Sequence, residues 1–530
     1  MSLRLDLLVT EDQLPEQVDV IVVGAGSAGS VVASRLSQRR SRRVLLLEAG
    51  SALPTEASST PGDAFAALGP DNLHAATTAP QRALDGRTIT LATGSGLGGS
   101  SSVNLLAWFH GHPEDYRAWA RSGASGWDWD DVQPVFRQIE DHAGGPDRFH
   151  GAGGPMVIDA PRDLEPSHLA LIAAGEEAGL PVTRDFNGEH RTGIGTVPVN
   201  IRDGARHSVV DGYLKPAATR DNLHIALGVR VARILIEQHR AVGVVLESGQ
   251  VVRAEERVVL TAGALRTPQL LMLSGIGPAR HLREHGIEVV VDSPQVGQGL
   301  QDHPMVPAVW AITSGRTYLD AHDEASVRAY RLSRRGPLAG FATVGAMLPL
   351  PGDGPAPSVQ ALFYLLGLDG RMRPLSRPAA TATIALLTPH SRGTVRLSSA
   401  DITDGPVVDP GYLSDPRDLP RLRQGVLRIQ ELTRARALDA IVGERLFPPA
   451  DAAGPEIDDW IRANVQTQWH PTGTVRIGQD KDLPADERLA IRGVDRLSVA
   501  DASVMPSIPR GNTQAPTIMV AERAASFIGV

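Results

Sequence analysis

Residues 18–50, VDVIVVGAGSAGSVVASRLSQRRSRRVLLLEAG, leave this chain few folds to choose from. Residues 19–23 form a short β-branched apolar run, the pattern of a buried strand, and Gly24, Gly26 and Gly29 follow in GxGxxG spacing. A helical pattern covers residues 28–38, with small or apolar side chains on one face. A second apolar run, residues 44–47, then ends on Glu48. Strand, glycine turn, helix, strand and acid, in that order, predict a Rossmann-like dinucleotide-binding unit. Each residue type has a physical task there. Gly24 permits the tight turn, Gly26 lets backbone approach a pyrophosphate, and Gly29 lets the helix lie close to the strand. The free amides at the helix start, around Ser27 and Ala28, face the phosphates with the positive end of the helix dipole. Glu48 accepts hydrogen bonds from ribose hydroxyls and repels a ribose phosphate, so the expected adenosine carries none.

The 530 residues allow more than one domain, and 42% hydrophobic with 21% charged residues is an ordinary globular composition. A net charge of -8 argues against nucleic acid as a partner. No apolar run is long enough to span a bilayer, and the first 17 residues carry acids where a signal peptide needs an apolar core. A cytoplasmic location is the expectation. With no cysteine, disulfides, thiolate metal sites and cysteine nucleophiles are excluded; the 16 histidines lack HExxH spacing, and no metal is expected.

Along the chain, residues 1–17 read as a polar surface extension. The glycine- and serine-dense stretch 94–102 is flanked by apolar segments, so it reads as a folded loop against a ligand, not a linker. Helices are predicted near 114–121, 130–141 and 166–178, the second capped by an aspartate in SGWDWDD. From Asn222 the pattern predicts an antiparallel meander ending in a strand at 257–260, then a helix whose start is marked by Thr267 and Pro268. Apolar runs between 305 and 399, GTVRLSS among them, predict a second, mostly antiparallel sheet with a helix over 416–434 on one face. A last helix, starting near Ala515, returns to the first domain. The fold class is therefore α/β, or α+β overall, with a substrate domain on a mostly antiparallel sheet flanked by helices. The expected cofactor domain comprises 1–155, 202–304 and 459–530, and the substrate domain 156–201 and 305–458.

Taken together, GAGSAG with Glu48, GSGLGGSSSVN, GALRTPQLLMLSGIG, VGQGLQDHP, HPTGTVRIG and VADASVMPSIPRGNTQAPTIMVAERAA resemble the glucose-methanol-choline (GMC) oxidoreductases over nearly the whole chain. That family comprises FAD-dependent alcohol oxidases and dehydrogenases. The chain departs from its pattern in places. Ser95 stands where a basic residue is common, Val475 and Ile477 where HPTGTCRMG is frequent, and Gly299 where asparagine is. Val103 occupies the position at which some members bond flavin through histidine; valine cannot, so non-covalent FAD is expected.

The resemblance makes His470 the catalytic base. An unperturbed imidazole, with a pKa of about 6.5, suits removal of a hydroxyl proton while hydride leaves the adjacent carbon. Asn512 matches a position that faces the substrate oxygen, and its amide can donate to a developing alkoxide. The resemblance also implies cofactor contacts at Gly98, Gly99, Ser102, Asn104, Ala107, Val231, Trp469, Asp501, Ala502 and Thr513, although a capping role explains Asp501 almost as well. His303 reads as structural. Trp310, Phe363 and Tyr364 are candidates for the substrate face, and His110 and His112 for the pocket mouth. The expected substrate is a small, uncharged or aromatic primary or secondary alcohol, with oxygen or another compound as electron acceptor. Alternatives are a cyanohydrin-cleaving lyase on the same flavin fold, a choline or polyol dehydrogenase, and a nicotinamide enzyme.

Overall fold

The computed structural model describes residues 8–340, 343–449 and 454–529. Two seven-stranded sheets organise it. The strand Gln17–Val23 lies inside the first, parallel to Val44–Glu48 on one side and to Val251–Leu260 on the other. Burial on both faces explains why its sequence is a continuous apolar run and not an alternation. Ile21 and Val22 are inaccessible to solvent, and truncating such a side chain to alanine typically costs about 2–5 kcal/mol. The helix Ser27–Leu36 packs against this sheet, and the terminal helix Gln514–Ile528 packs in turn on that helix.

Several sequence expectations need correction here. The strand Leu223–Leu227 pairs parallel with Val44–Glu48, so the antiparallel meander comprises only Val231–Glu237, Arg240–Leu246 and Val251–Leu260. The leading segment is not a surface extension where described: Leu8 bridges to Ile225, Leu14 is buried, and Gln17 already opens a strand. Residues 1–7 lie outside the described part. The helix Gly263–Leu273 begins four residues before Thr267 and encloses Pro268, whose missing amide falls in the first turns.

All pairings in the second sheet are antiparallel, in the order Val442–Phe447, Pro304–Ile312, Ala379–Leu386, Val359–Tyr364, Val344–Leu348, Gly193–Thr196. The helix Asp418–Leu432 covers one face. Gly393–Arg396, expected in this sheet, instead joins a separate three-stranded sheet with Gln298–Leu300 and Val407–Asp409. Two segments cross the expected division of the chain: Met156 and Ile158 pack into the first core, whereas Gln466–Thr467 pairs with the start of Pro304–Ile312.

Candidate active site

Two cavities meet between the sheets. A narrow groove of about 210 Å³ runs along the carboxyl ends of the first sheet's strands, where Val23, Leu47 and Thr261 line it. Ligands of open α/β sheets bind at such strand ends. A wider chamber of about 920 Å³ lies toward the second sheet, and Gly94, Ser100, Trp469, Thr513 and Gln514 line both spaces.

The groove is shaped by absent side chains. A Cβ on Gly24, at φ +104°, would lie 2.7 Å from the Thr261 carbonyl oxygen, and one on Gly29 only 1.8 Å from that of Gly24. Gly26 differs, because a Cβ there would meet nothing within 4 Å. Its missing side chain leaves open groove, and it caps Ser27–Leu36 without a side-chain hydrogen bond. The first-turn amides therefore remain available to an anion. Gly99, at φ +49°, would place a Cβ 2.8 Å from the Gly26 Cα, so the two glycine loops touch at the groove wall. Glu48 is buried at the end of its strand and accepts from the amides of Ala25 (2.8 Å), Gly50 (2.9 Å) and Gly96 (3.2 Å). Burial pushes its carboxyl pKa up, and those three amides oppose the rise.

Not every expected contact faces this space. Ser27, Ala28, Glu48, Gly99, Val231, Trp469, Asp501, Ala502 and Thr513 line the groove, and Asn104 and Ala107 line the chamber. Gly98 and Ser102 line neither. The Ser102 hydroxyl donates to the Leu97 carbonyl and faces a separate pocket beside Arg206, while Ser100 takes the inner position. Asp501 is occupied structurally, accepting from the Gly263 amide (2.9 Å), the Thr267 hydroxyl (2.6 Å) and the Ser503 amide (2.9 Å). The Asn104 carbonyl oxygen accepts from Arg206 (2.6 Å) and the Leu106 amide (3.1 Å), which leaves only its NH₂ group for a ligand.

At the inner end of the chamber His470 and Asn512 come together, with Nδ2 of Asn512 3.3 Å from Nε2 of His470. The hydrogen bonds around them fix the tautomer. Nε2 of His303 lies 3.1 Å from the Leu387 carbonyl, which can only accept, so that nitrogen carries a proton. Burial, and then the neighbouring His470, hold the His303 pKa well below its usual value, so the ring is neutral and its Nδ1 is an acceptor. That Nδ1 is 3.0 Å from Nδ1 of His470, which must therefore donate. Nε2 of His470 is left unprotonated, its lone pair facing the NH₂ group of Asn512 and the chamber. The Asn512 carbonyl oxygen accepts from Gln360 (3.3 Å), whose own carbonyl accepts from Gln468 (2.9 Å), turning the NH₂ group of Asn512 to His470.

Asp302 fastens this arrangement. One carboxylate oxygen accepts the amides of His303 (2.9 Å) and His470 (2.8 Å), and the other accepts the hydroxyls of Thr467 and Tyr412. Trp469 sits in the left-handed region at φ +60°, a conformation rare for a bulky residue, and the turn it makes delivers His470 to the chamber. Burial alone pushes the His470 pKa down to about 3, so it is a neutral proton acceptor throughout the working range, not a group titrating near 6.5. Sequence reasoning missed Asp302, Gln360 and Gln468, and took His303 as structural without its partner. Of the three aromatic candidates Tyr364 lines the chamber, while Trp310 and Phe363 lie in the core of the second sheet.

His110 and His112 are not at the pocket mouth. His112 caps the helix Pro113–Arg121 through its Nδ1. His110 is fully buried and bonded through Nε2 to Glu140 (2.5 Å), whose other oxygen meets Nδ1 of His150 (2.8 Å); Asp185 holds the far nitrogen of His150 at 2.9 Å. Burial disfavours charge on His150, but Asp185 and Glu140 outweigh it and raise the pKa to about 10. A raised folded pKa contributes stability that is complete below the unfolded value of about 6.5 and is lost as pH rises through 10. The wild type is therefore expected to lose more of its melting temperature than His150→Gln between pH 6.5 and 10. Parallel melting curves for the two proteins across that range would refute the assignment.

A sheet whose strand ends line a groove, an anion-ready helix start and a neutral imidazole in an adjoining chamber define a dinucleotide-dependent oxidoreductase. Residues 18–305 and 389–521 match the two models of the GMC oxidoreductase family, and the chain belongs to that family. Human mitochondrial choline dehydrogenase is 37% identical over 97% of this chain and 90% of its own. The Pseudomonas putida alcohol dehydrogenase [acceptor] is 36% identical over 96% and 95%. In structure, pyridoxine 4-oxidase from Mesorbium loti superposes with a TM-score of 0.88 at 32% identity, over 96% of this chain and 98% of the other. The protein is thus an FAD-dependent oxidoreductase of a family that acts on alcohols, and the groove fits such a cofactor: open space at Gly26, a helix start without a side-chain cap and the Glu48 carboxylate at the end of its strand. Among the described residues no helix is long and apolar enough to cross a membrane.

Proposed function

We propose that the protein oxidises a primary or secondary alcohol to its carbonyl, with His470 as base and Asn512 holding the substrate oxygen. The observation that carries this reading is the unprotonated Nε2 of His470 facing an amide donor 3.3 Å away, at the inner end of a chamber that adjoins the groove. An alcohol oxygen inserted there gives its proton to Nε2 and receives a hydrogen bond from Asn512 Nδ2. As the carbonyl forms, the hydroxyl O–H bond breaks with its proton going to His470. The C–H bond breaks with its electron pair leaving as hydride. Bound FAD supplies the acceptor for that hydride. His303 keeps His470 in the accepting tautomer, and Asp302 keeps both rings in place.

The cofactor is held without a covalent bond, because Val103 lines the chamber where a linking side chain would be needed. Glu48, Val231 and the Gly24–Gly29 turn hold the adenosine diphosphate portion, and Trp469 with Thr513 adjoins the flavin. Reoxidation is by oxygen or another acceptor.

Anaerobic mixing of the yellow protein with a panel of alcohols tests the proposal. Absorbance near 450 nm, the usual flavin band, is expected to bleach with at least one alcohol, and its recovery on admitting air reports whether oxygen is the acceptor. Conversion of substrate with flavin remaining oxidised would replace this reading by the lyase alternative.

A further inference from the structure

Charge along the chamber is one-sided. No aspartate or glutamate lines it among the described residues, whereas Arg87, Arg371 and Arg373 do. Arg373 is neutralised by Asp369, which accepts from its Nε at 2.8 Å. Neither of the other two has an ion-pair partner among the described residues. Arg87 donates from Nη2 to the carbonyls of Arg462 (3.0 Å) and Val465 (2.6 Å), and its Nε is buried without a hydrogen-bond partner. The two guanidiniums are close enough that Arg371, after burial, depresses the pKa of Arg87. Two like charges therefore meet at one cavity whose described lining carries no carboxylate to offset them, and an anion in the chamber would offset both.

We propose that the substrate is an alcohol bearing an anionic group, a carboxylate or phosphate, which Arg87 and Arg371 bind while the hydroxyl end reaches His470 and Asn512. This rests on the reading of His470 and Asn512 as the reacting end. The span is bounded by the chain itself. Gln466 donates to the Gly370 carbonyl beside Arg371 (3.0 Å), and Val465 accepts from Arg87. His470 is four residues from Gln466, so the two Cα atoms are at most about 14 Å apart. An aromatic or short aliphatic body fits that span, lying along Leu362, Met372 and Tyr364. A quaternary ammonium alcohol would meet two cations and no carboxylate.

The test uses holoenzyme and matched alcohols: 4-(hydroxymethyl)benzoate, its neutral methyl ester, 4-(hydroxymethyl)benzyl phosphate and the corresponding trimethylammonium compound. Binding is read from perturbation of the flavin spectrum and reaction from anaerobic bleaching. One or both anions are expected to bind at least about tenfold tighter than the ester, the scale of one hydrogen bond to a charged group. Which anion binds tighter separates carboxylate from phosphate. The preference is expected to vanish in Arg371→Gln and to favour the cation in Arg371→Glu; Arg371 is exposed, so both variants should fold without difficulty. Equal binding of ester and anions by the wild type, or a preference unchanged in both variants, overturns the proposal. Bleaching without charge preference removes this inference and leaves alcohol oxidation standing. Arginine-dependent anion binding without any bleaching does the reverse.

Discussion

Replacing His470 by alanine is expected to slow anaerobic flavin reduction by at least about a hundredfold, the lower end for a positioned general base, while FAD stays bound. The imidazole nitrogen Nε2 is unprotonated and faces the chamber beside Asn512, so its loss leaves the hydroxyl proton without a basic acceptor there. The bound flavin spectrum serves as the control for folding. His303→Gln separates positioning from chemistry: with the tautomer no longer enforced, reduction should fall roughly ten- to a hundredfold with substrate affinity little changed, the scale for losing a partner that orients a working imidazole. Because burial holds the His470 pKa near 3, the wild-type rate should also stay level between about pH 5 and 9. A base with the ordinary value would lose activity tenfold per unit below about 6.5. Unchanged reduction in His470→Ala would remove the residue from its role.

Glu48→Lys is expected to yield protein that retains no FAD. The carboxylate answers three backbone amides of the turns that form the groove, and an ammonium group answers none of them. Each buried donor left unpaired costs about 1–3 kcal/mol, and a cation beside inward-pointing amides adds repulsion. The Glu48→Gln variant keeps one acceptor oxygen and the side chain's shape, so it should fold and retain FAD with weakened affinity. The ratio of flavin to protein absorbance after gel filtration measures both. Fully loaded Glu48→Lys would contradict the assignment of this carboxylate to the cofactor.

Much of this architecture could be read from the chain because it depends on local physics. Gly24 and Gly29 sit where a Cβ would collide with backbone, as a tight turn and a close helix contact demand, and Gly26 leaves the groove open, all within a few residues of one another. The helices Pro113–Arg121, Trp129–Ile139 and Asp418–Leu432 fall within a few residues of where their caps and periodicity put them. What failed depends on contacts distant in sequence. Nothing near Leu223 distinguishes a strand parallel to Val44–Glu48 from one that begins a hairpin, and nothing near Gly393 separates the third sheet from the second. The inward positions of the glycine-serine loop were misjudged because its short 3₁₀ turn, Gly99–Ser102, points Ser100 one way and Ser102 the other. His470 and Asn512 were visible only through resemblance. The hydrogen-bond chain from Leu387 through His303 that sets the His470 tautomer joins parts of the chain 167 and 84 residues apart, beyond the reach of any motif.

The segment Gln466–Thr467 is hydrogen-bonded into the second sheet and, with Asp302, carries His470 there, whereas Asn512 immediately precedes a helix packed on Ser27–Leu36 at the first sheet. His470 and Asn512 are thus carried by segments anchored on different sheets, and the hydrogen bond from Gln360 to Asn512 ties the two sides together. Moving one side relative to the other by as little as an ångström would carry the 3.3 Å contact between the two side chains beyond hydrogen-bonding reach, so their pairing depends on how the two sheets are docked.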